Sequence, residues 1–380
     1  MSTKRILLVH DDRLLTNLYR EKLEGSGFAV DSTRNFEQVP KLIENKKPDL
    51  LIVDLVLPTS NGIELIKSLR HNPATLALPV LVFPTVLAQL GSSALKAGAT
   101  KIISRGAHPV ASVIDAAKIA LGMPGLGDSL NAPVFEPDQN WLHMAREASL
   151  ESLNQMRHCL PGLVAASPDE TMLRTLWAFV HGFAEKAVLL QQKPLAQISA
   201  AFDLMMCDLN EMPEQLNAST LRTIGQAIDF LGTLGTPETM KRTKDPSGSR
   251  VVIVDDEDSS LQFISAAMQL AGLKSECYQV PSVALEKLNG RGSDLIFLDV
   301  GLPEMSGFEL CTKIRSLEMH TKTPIVFLTG MSSFQNRAQA SLAGGNDFVG
   351  KPFNLPELGV KALLWIFKGQ IENVAADSPR

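Results

Sequence analysis

Hydrophobic positions fall along this chain in two rhythms. In the last third, short apolar runs at 251–254, 277–280, 295–298, 325–328 and 348–349 alternate with amphipathic stretches at 259–270, 283–288, 308–315 and 334–342. A final stretch, 354–367, closes the series. Strands that are apolar throughout, each followed by a helical period, predict a parallel sheet covered on both faces by helices. The first 121 residues repeat the plan. Residues 140–234 show no strand rhythm and predict helices over 141–160, 169–191, 195–209 and 219–234. In the second of these Leu173, Leu176, Val180, Phe183 and Ala187 recur at helical spacing, and four such stripes predict an antiparallel four-helix bundle. Ser167-Pro168-Asp169-Glu170 reads as a helix start, and Asn217 or Ser219 as the cap of the last helix.

Two turn-rich segments, 122–138 and 236–249, divide the chain. The outer pieces share fixed offsets. Asp11 and Asp54 are 43 residues apart, as are Asp256 and Asp299; Pro58 and Pro303 follow the later aspartates by four, Gly62 and Gly307 by eight, and Pro79 and Pro324 by 25. Agreement at so many positions predicts a duplicated domain. The expected layout is a domain at 3–121, a linker, a helical domain at 139–235, a linker, a second α/β domain at 250–369 and a tail at 370–380. In class this is α/β and all-α multidomain: two flavodoxin-like (βα)5 domains with parallel five-stranded sheets flanking a helical bundle.

Composition is that of a globular protein, 45% hydrophobic and 20% charged, and a net charge of −5 gives no basic field for nucleic acid. Cys159, Cys207, Cys277 and Cys311 lack metal-ligand spacing and read as small buried hydrophobes. No secretory segment or membrane-length apolar run is seen, so a cytoplasmic location without membrane insertion is expected.

Ligands of parallel α/β sheets collect at the carboxyl ends of the strands. In the last third those ends carry Asp255 and Asp256, Asp299, Thr329, and Lys351 followed by Pro352. Clustered carboxylates repel, and a hard divalent ion with oxygen ligands, Mg²⁺, relieves the repulsion. A carboxylate beside that ion is a nucleophile toward phosphorus, a threonine donates to a phosphoryl oxygen and a lysine neutralises its charge. The strings VVIVDDED from Val251, DLIFLDVGLPEMSGFEL from Asp294, TPIVFLTG from Thr323 and GGNDFVGKPF from Gly344 resemble the receiver domain of bacterial response regulators. The resemblance implies Asp299 as phosphoacceptor, Mg²⁺ held by Asp256, Asp299 and the carbonyl of Gly301 with Asp255 acting through water, and Phe348 as the aromatic whose rotamer reports phosphorylation. Gly301 and Met331 fall where related receivers orient the hydrolytic water, which implies a long-lived phosphate.

KRILLVHDDR from Lys4 and DLLIVDLVLPTSNGIEL from Asp49 resemble a receiver whose site is degenerate. Asp11 and Asp54 remain; His10 replaces the first acid, Pro84 the threonine, and Arg105 the lysine. Asp54 is a candidate second phosphoacceptor, impaired by these changes; the bland reading is a pseudo-receiver kept for docking or dimerisation. The middle piece, through LRTLWAFVHGFAEKA from Leu173, resembles a histidine-phosphotransfer (HPt) domain, with His181 at the phosphorylatable position and partly exposed. The family's lysine and glycine three and four residues later are here Ala184 and Glu185. Glu185 repels an incoming phosphoryl and Lys186 compensates in part, so an HPt-like spacer or dimerisation bundle is the preferred reading over phosphotransfer.

The whole predicts a non-enzymatic phosphoacceptor of two-component phosphorelay signalling. Its expected partners are a sensor histidine kinase or phosphotransfer protein and a downstream protein, with homo-oligomerisation left open. No DNA-binding output module is read after 369. The rival is a scaffold in which the pseudo-receiver and the helices mediate oligomerisation or kinase docking.

Overall fold

The computed structural model describes residues 3–57, 60–83, 88–103, 109–124, 137–164, 170–330 and 342–376. The chain forms two compact units, 1–191 and 192–380.

The first unit runs β1 (Arg5–Val9), α1 (Arg13–Gly25), β2 (Ala29–Thr33), α2 (Val39–Lys46), β3 (Leu50–Val53), a small hairpin of β4 (Val56–Leu57) and β5 (Ser60–Asn61), α3 (Gly62–His71), β6 (Val80–Val82), α4 (Ala88–Lys96), β7 (Lys101–Ile102) and α5 (Pro109–Ala120). The strands pair in parallel in the order β2-β1-β3-β6-β7. Strand order reverses beside β1, and that switch point places the ends of β1 and β3 side by side. Two further helices complete the unit, α6 (Gln139–Val164) and α7 (Glu170–Leu189), which pack against each other.

The second unit opens with α8 (Lys193–Glu211), α9 (Ala218–Leu234) and α10 (Pro237–Arg242). It then repeats the plan: β8 (Arg250–Val254), α11 (Asp258–Leu270), β9 (Lys274–Tyr278), α12 (Pro281–Gly290), β10 (Leu295–Asp299), α13 (Gly307–Arg315), β11 (Ile325–Thr329), β12 (Asp347–Gly350) and α14 (Leu355–Ala376). Its parallel sheet has the order β9-β8-β10-β11-β12. Both α8 and α9 pack on α14. Asn217 caps α9 in a reciprocal capping box with Thr220, as expected of one of the two candidates.

The duplication extends beyond the expected landmarks. Asp49 accepts from the Arg5 amide at 2.8 Å, and Asp294 from the Arg250 amide at 2.7 Å, each pinning the first strand of its sheet to the loop before the third. Arg70 and Arg315 hold the carbonyls of Gly98 and Gly344 at 2.8 and 2.9 Å. The shared glycine eight residues after the aspartate has a steric reason. A Cβ on Gly307 would lie 2.0 Å from the Asp299 carbonyl oxygen, and one on Gly62 would lie 2.7 Å from the Leu55 Cα. The chain returns so close to the strand end that only glycine fits.

Some expectations change. The helices expected at 139–235 are all present, but the boundary between compact units falls between the second and third of them. The linker at 236–249 contains α10, capped by Thr236 with proline in its first turn, and the tail is helical as far as Ala376. The second strand of the repeat sits three residues earlier than its apolar run, because β9 is a half-exposed edge strand that needs no continuous hydrophobic face. For the same reason Cys277 on it is exposed, while the other three cysteines are buried and unbridged. The segments at 165–169 and 331–341 lie outside the described residues.

On that edge Arg250 grips Glu276 through two hydrogen bonds, at 2.9 and 2.6 Å. These bonds lower the carboxyl pKa from 4.5 to about 2. A carboxylate depressed on folding stabilises above its unfolded pKa, and that share is lost as pH falls through the folded one. Urea midpoints should therefore drop between pH 4.5 and about 2 by more in the wild type than in Arg250→Gln. The difference should stay below about 1 kcal/mol, since the Glu276 side chain is 38% exposed.

Candidate functional site

In the second unit the parallel register sets Asp299 at the last position of β10, and Asp255 and Asp256 just past β8. Thr329 ends β11 and Lys351 follows β12, so four neighbouring strand ends deliver the five residues to one edge. The side chains of three of them meet. The Lys351 Nζ lies 2.8 Å from Asp255 Oδ2 and 2.8 Å from Asp299 Oδ1. The other Asp299 oxygen accepts from the Gly301 amide at 2.7 Å, and the other Asp255 oxygen from the Glu257 amide at 3.0 Å. Asp255, Asp299 and Thr329 are buried, whereas Asp256 and Gly301 face solvent.

Burial raises the Asp255 pKa, against the lowering effect of Lys351. For Lys351 desolvation is outweighed by its two carboxylate partners, and its pKa rises. One ammonium is thus shared by two acids. Oxygen donors with an exposed third acid suit a hard divalent ion. Room exists beside Asp299: a Cβ on Gly301 would sit 3.2 Å from Oδ2, so a larger residue there would crowd the carboxylate.

Sequence reasoning missed Arg222 on α9. Its guanidinium stacks 3.6 Å over the Phe348 ring and donates to the Phe348 carbonyl at 2.9 Å. Arginine at a half-exposed helix position has no periodic signature, and 126 residues separate the partners.

The first unit builds a different site. Asp54 follows β3, 2% exposed, with Oδ1 accepting from the Val56 amide at 3.0 Å and Oδ2 buried without a hydrogen-bond partner. Opposite it stands His181 of α7, its Nε2 3.6 Å from Asp54 Oδ1. His181 was expected to be partly exposed; it is 2% exposed, because its helix face is packed on the receiver rather than turned to water. His10, fully buried, pairs through Nε2 with Glu185 at 3.1 Å, and its Nδ1 lies 3.1 Å from the Asp12 amide nitrogen. Its ring meets Phe83 edge-on at 5.2 Å. Lys186 pairs with Asp12, whose other oxygen caps α1 through the Leu15 amide at 3.0 Å.

The electrostatics follow from these pairs. Desolvation would lower the His10 pKa, but Glu185, Asp54 and Asp11 raise it to about 9. Burial and the Asp54 charge, against His10, bring Asp11 to about 6. His181 and His10 hold Asp54 below the usual carboxylate range despite its burial, and Lys186 does so for Asp12. His10, Asp11 and Asp54 offer ligand atoms within 4.8 Å of one another, as do Asp54, His181 and Glu185. Both sets mix imidazole with carboxylate, unlike the oxygen-only set of the second unit. Pro84 and Arg105, expected parts of this site, and Met331 of the other, lie outside the described residues.

A family model described as the response regulator receiver domain matches residues 6–111 and 251–362. Regulatory protein AtoC of Escherichia coli (strain K12) is 33% identical over 112 residues, 30% of this chain and 24% of that protein. Response regulator protein TodT of Pseudomonas putida is 32% identical over 127 residues, 33% of this chain and 55% of TodT. The matched region therefore spans between a quarter and about half of these relatives' length. Among solved structures, chemotaxis response regulator CheY4 of Vibrio cholerae is 33% identical, covering 31% of this chain and 98% of that one, with a TM-score of 0.30. Among the described residues no helix is long and apolar enough to cross a membrane.

Proposed function

Because the chain belongs to the response regulator receiver family through both of its α/β domains, we propose that it is a two-component signalling protein that accepts a phosphoryl group on Asp299. The observation that carries this reading is the single ammonium of Lys351 set 2.8 Å from both Asp255 and Asp299, at the switch-point edge of a parallel sheet. In the transfer an Asp299 oxygen attacks phosphorus, an acyl-phosphate O–P bond forms, and the P–N bond of a donor phosphohistidine breaks. The departing imidazole nitrogen keeps the electron pair and takes up a proton from water. Lys351 neutralises the incoming phosphoryl oxygens and Thr329 donates to one of them. Mg²⁺, held by Asp256, Asp299 and the Gly301 carbonyl with Asp255 behind it, would supply charge neutralisation for the acids and the phosphoryl group.

Phosphosite mapping by mass spectrometry after incubation with acetyl phosphate and Mg²⁺ tests the assignment; phosphate on another residue would replace it. A sharper check uses Lys351→Met. Without its ammonium the two acids repel unrelieved, so Mg²⁺ should bind a few-fold more tightly, while phosphorylation slows by about 10- to 100-fold. Titration and labelling read the two effects separately, and parallel losses in both would mean a merely structural lysine.

Output through protein contact fits the packing of α8 and α9 on the second receiver, where Arg222 holds Phe348. A phosphorylation-dependent change in the Phe348 rotamer would be felt directly by α9. The expected partners are a histidine kinase or phosphotransfer protein upstream and a protein target downstream.

A further inference from the structure

We propose that helix α7 is the resident occupant of the first receiver's acid pocket, and that its His181, set against Asp54, stands where a receiver of this family would hold a divalent cation. This does not depend on the role of Asp299. Three pairs cross the contact, each joining an acid to a basic group: Asp12 with Lys186, Asp54 with His181, and His10 with Glu185. The receiver contributes acid, acid and imidazole; the helix contributes lysine, imidazole and acid. His181 and Glu185 are one turn apart and share a face, with Lys186 beside them. Gly182 also faces Asp12, a Cβ there lying in ordinary contact at 3.8 Å from Oδ2.

The two departures that looked like independent decay in the sequence answer each other. His10 stands where the second unit has Asp255, and it pairs with Glu185, which stands where the resembled helix has glycine. An acid at position 10 would repel Glu185, and a glycine at 185 would leave His10 without its carboxylate. The pair also fixes register, because sliding α7 by a turn would bring Glu185 to the place of His181, against Asp54.

Magnesium does not fit this site. Asp54 has a basic partner, the first acid is an imidazole, and Asp11, the acid that remains, is left in a mixed nitrogen and oxygen set with His10. A cavity of about 190 Å³ opens beside Asp11, Asp12, Gly182 and Lys186, but Asp54 is not among its lining residues. Asp54 itself is 2% exposed with His181 set against it, so small phosphodonors are kept from it while α7 is seated.

Hydrogen exchange on the full chain, resolved by peptide, tests this. In wild type, millimolar Mg²⁺ should leave exchange in β1, β3 and α7 unchanged; protection of those peptides by Mg²⁺, or by Zn²⁺, would overturn the proposal. Glu185→Lys should raise exchange in α7 by more than about 100-fold, the lower bound expected from breaking one buried pair, with β1 and β3 still protected. His10→Asp combined with Glu185→Lys should restore slow exchange. An unchanged α7 in the single variant, or no restoration in the double, would likewise overturn it. The metal arm needs no variant to fold.

Discussion

Asp299→Ala is expected to reduce Mg²⁺-dependent labelling by acetyl phosphate to background, a loss of at least about 100-fold. The alanine removes the carboxylate that ends β10 and pairs with Lys351. Asp255 is fully buried and set behind Asp299, so it is a poor substitute nucleophile. Asp54 is shut beneath His181. The outcomes separate cleanly. Residual phosphate on Asp255 or Asp256 would sink the assignment of Asp299. Residual phosphate on Asp54 would leave Asp299 standing and count instead against the seated α7.

The second-unit site was legible because a parallel sheet turns sequence order into spatial convergence: each functional residue ends a strand, and the order of strands brings those ends together. The offset of Gly62 and Gly307 was visible as repetition, though its cause is three-dimensional: a Cβ on Gly307 would lie 2.0 Å from the Asp299 carbonyl oxygen. What could not be read were pairings that join helices to receivers. His10 and Glu185 are 175 residues apart, and each by itself looks like loss of a motif. Ser219 and Thr223 both donate to Glu357 at 2.7 Å, more than 130 residues away, and a serine and threonine one turn apart on α9 announce nothing about α14. Helix α10 was missed for another reason. Its Thr-Pro-Glu start is a capping signal, but a short polar helix without an apolar stripe reads as linker.

The same long-range packing yields the largest expected stability effect, at Asp347. Lys361 of α14 is fully buried, with Nζ 2.6 Å from Asp347 Oδ2 and 3.1 Å from Gln226. The carboxylate also takes the Trp365 indole at 3.3 Å, lies 3.4 Å from the Arg222 guanidinium, and accepts from the Phe348 amide at 2.8 Å. Desolvation alone would raise the Asp347 pKa, but Lys361 and Arg222 hold it low, while burial lowers that of Lys361. Asp347→Ala would strand a buried ammonium, at a cost of about 3–5 kcal/mol. Lys361→Met should cost less, because Asp347 keeps Arg222. The double variant should recover part of the loss, since it removes charge and counter-charge together. Urea unfolding of all three variants measures the coupling. Because Asp347 precedes Phe348 and both contact Arg222, the Asp347→Ala protein should also loosen the aromatic's seat under α9. Additive single and double costs would mean the pair is not a unit, and this account of how α9 and α14 grip the receiver would fail.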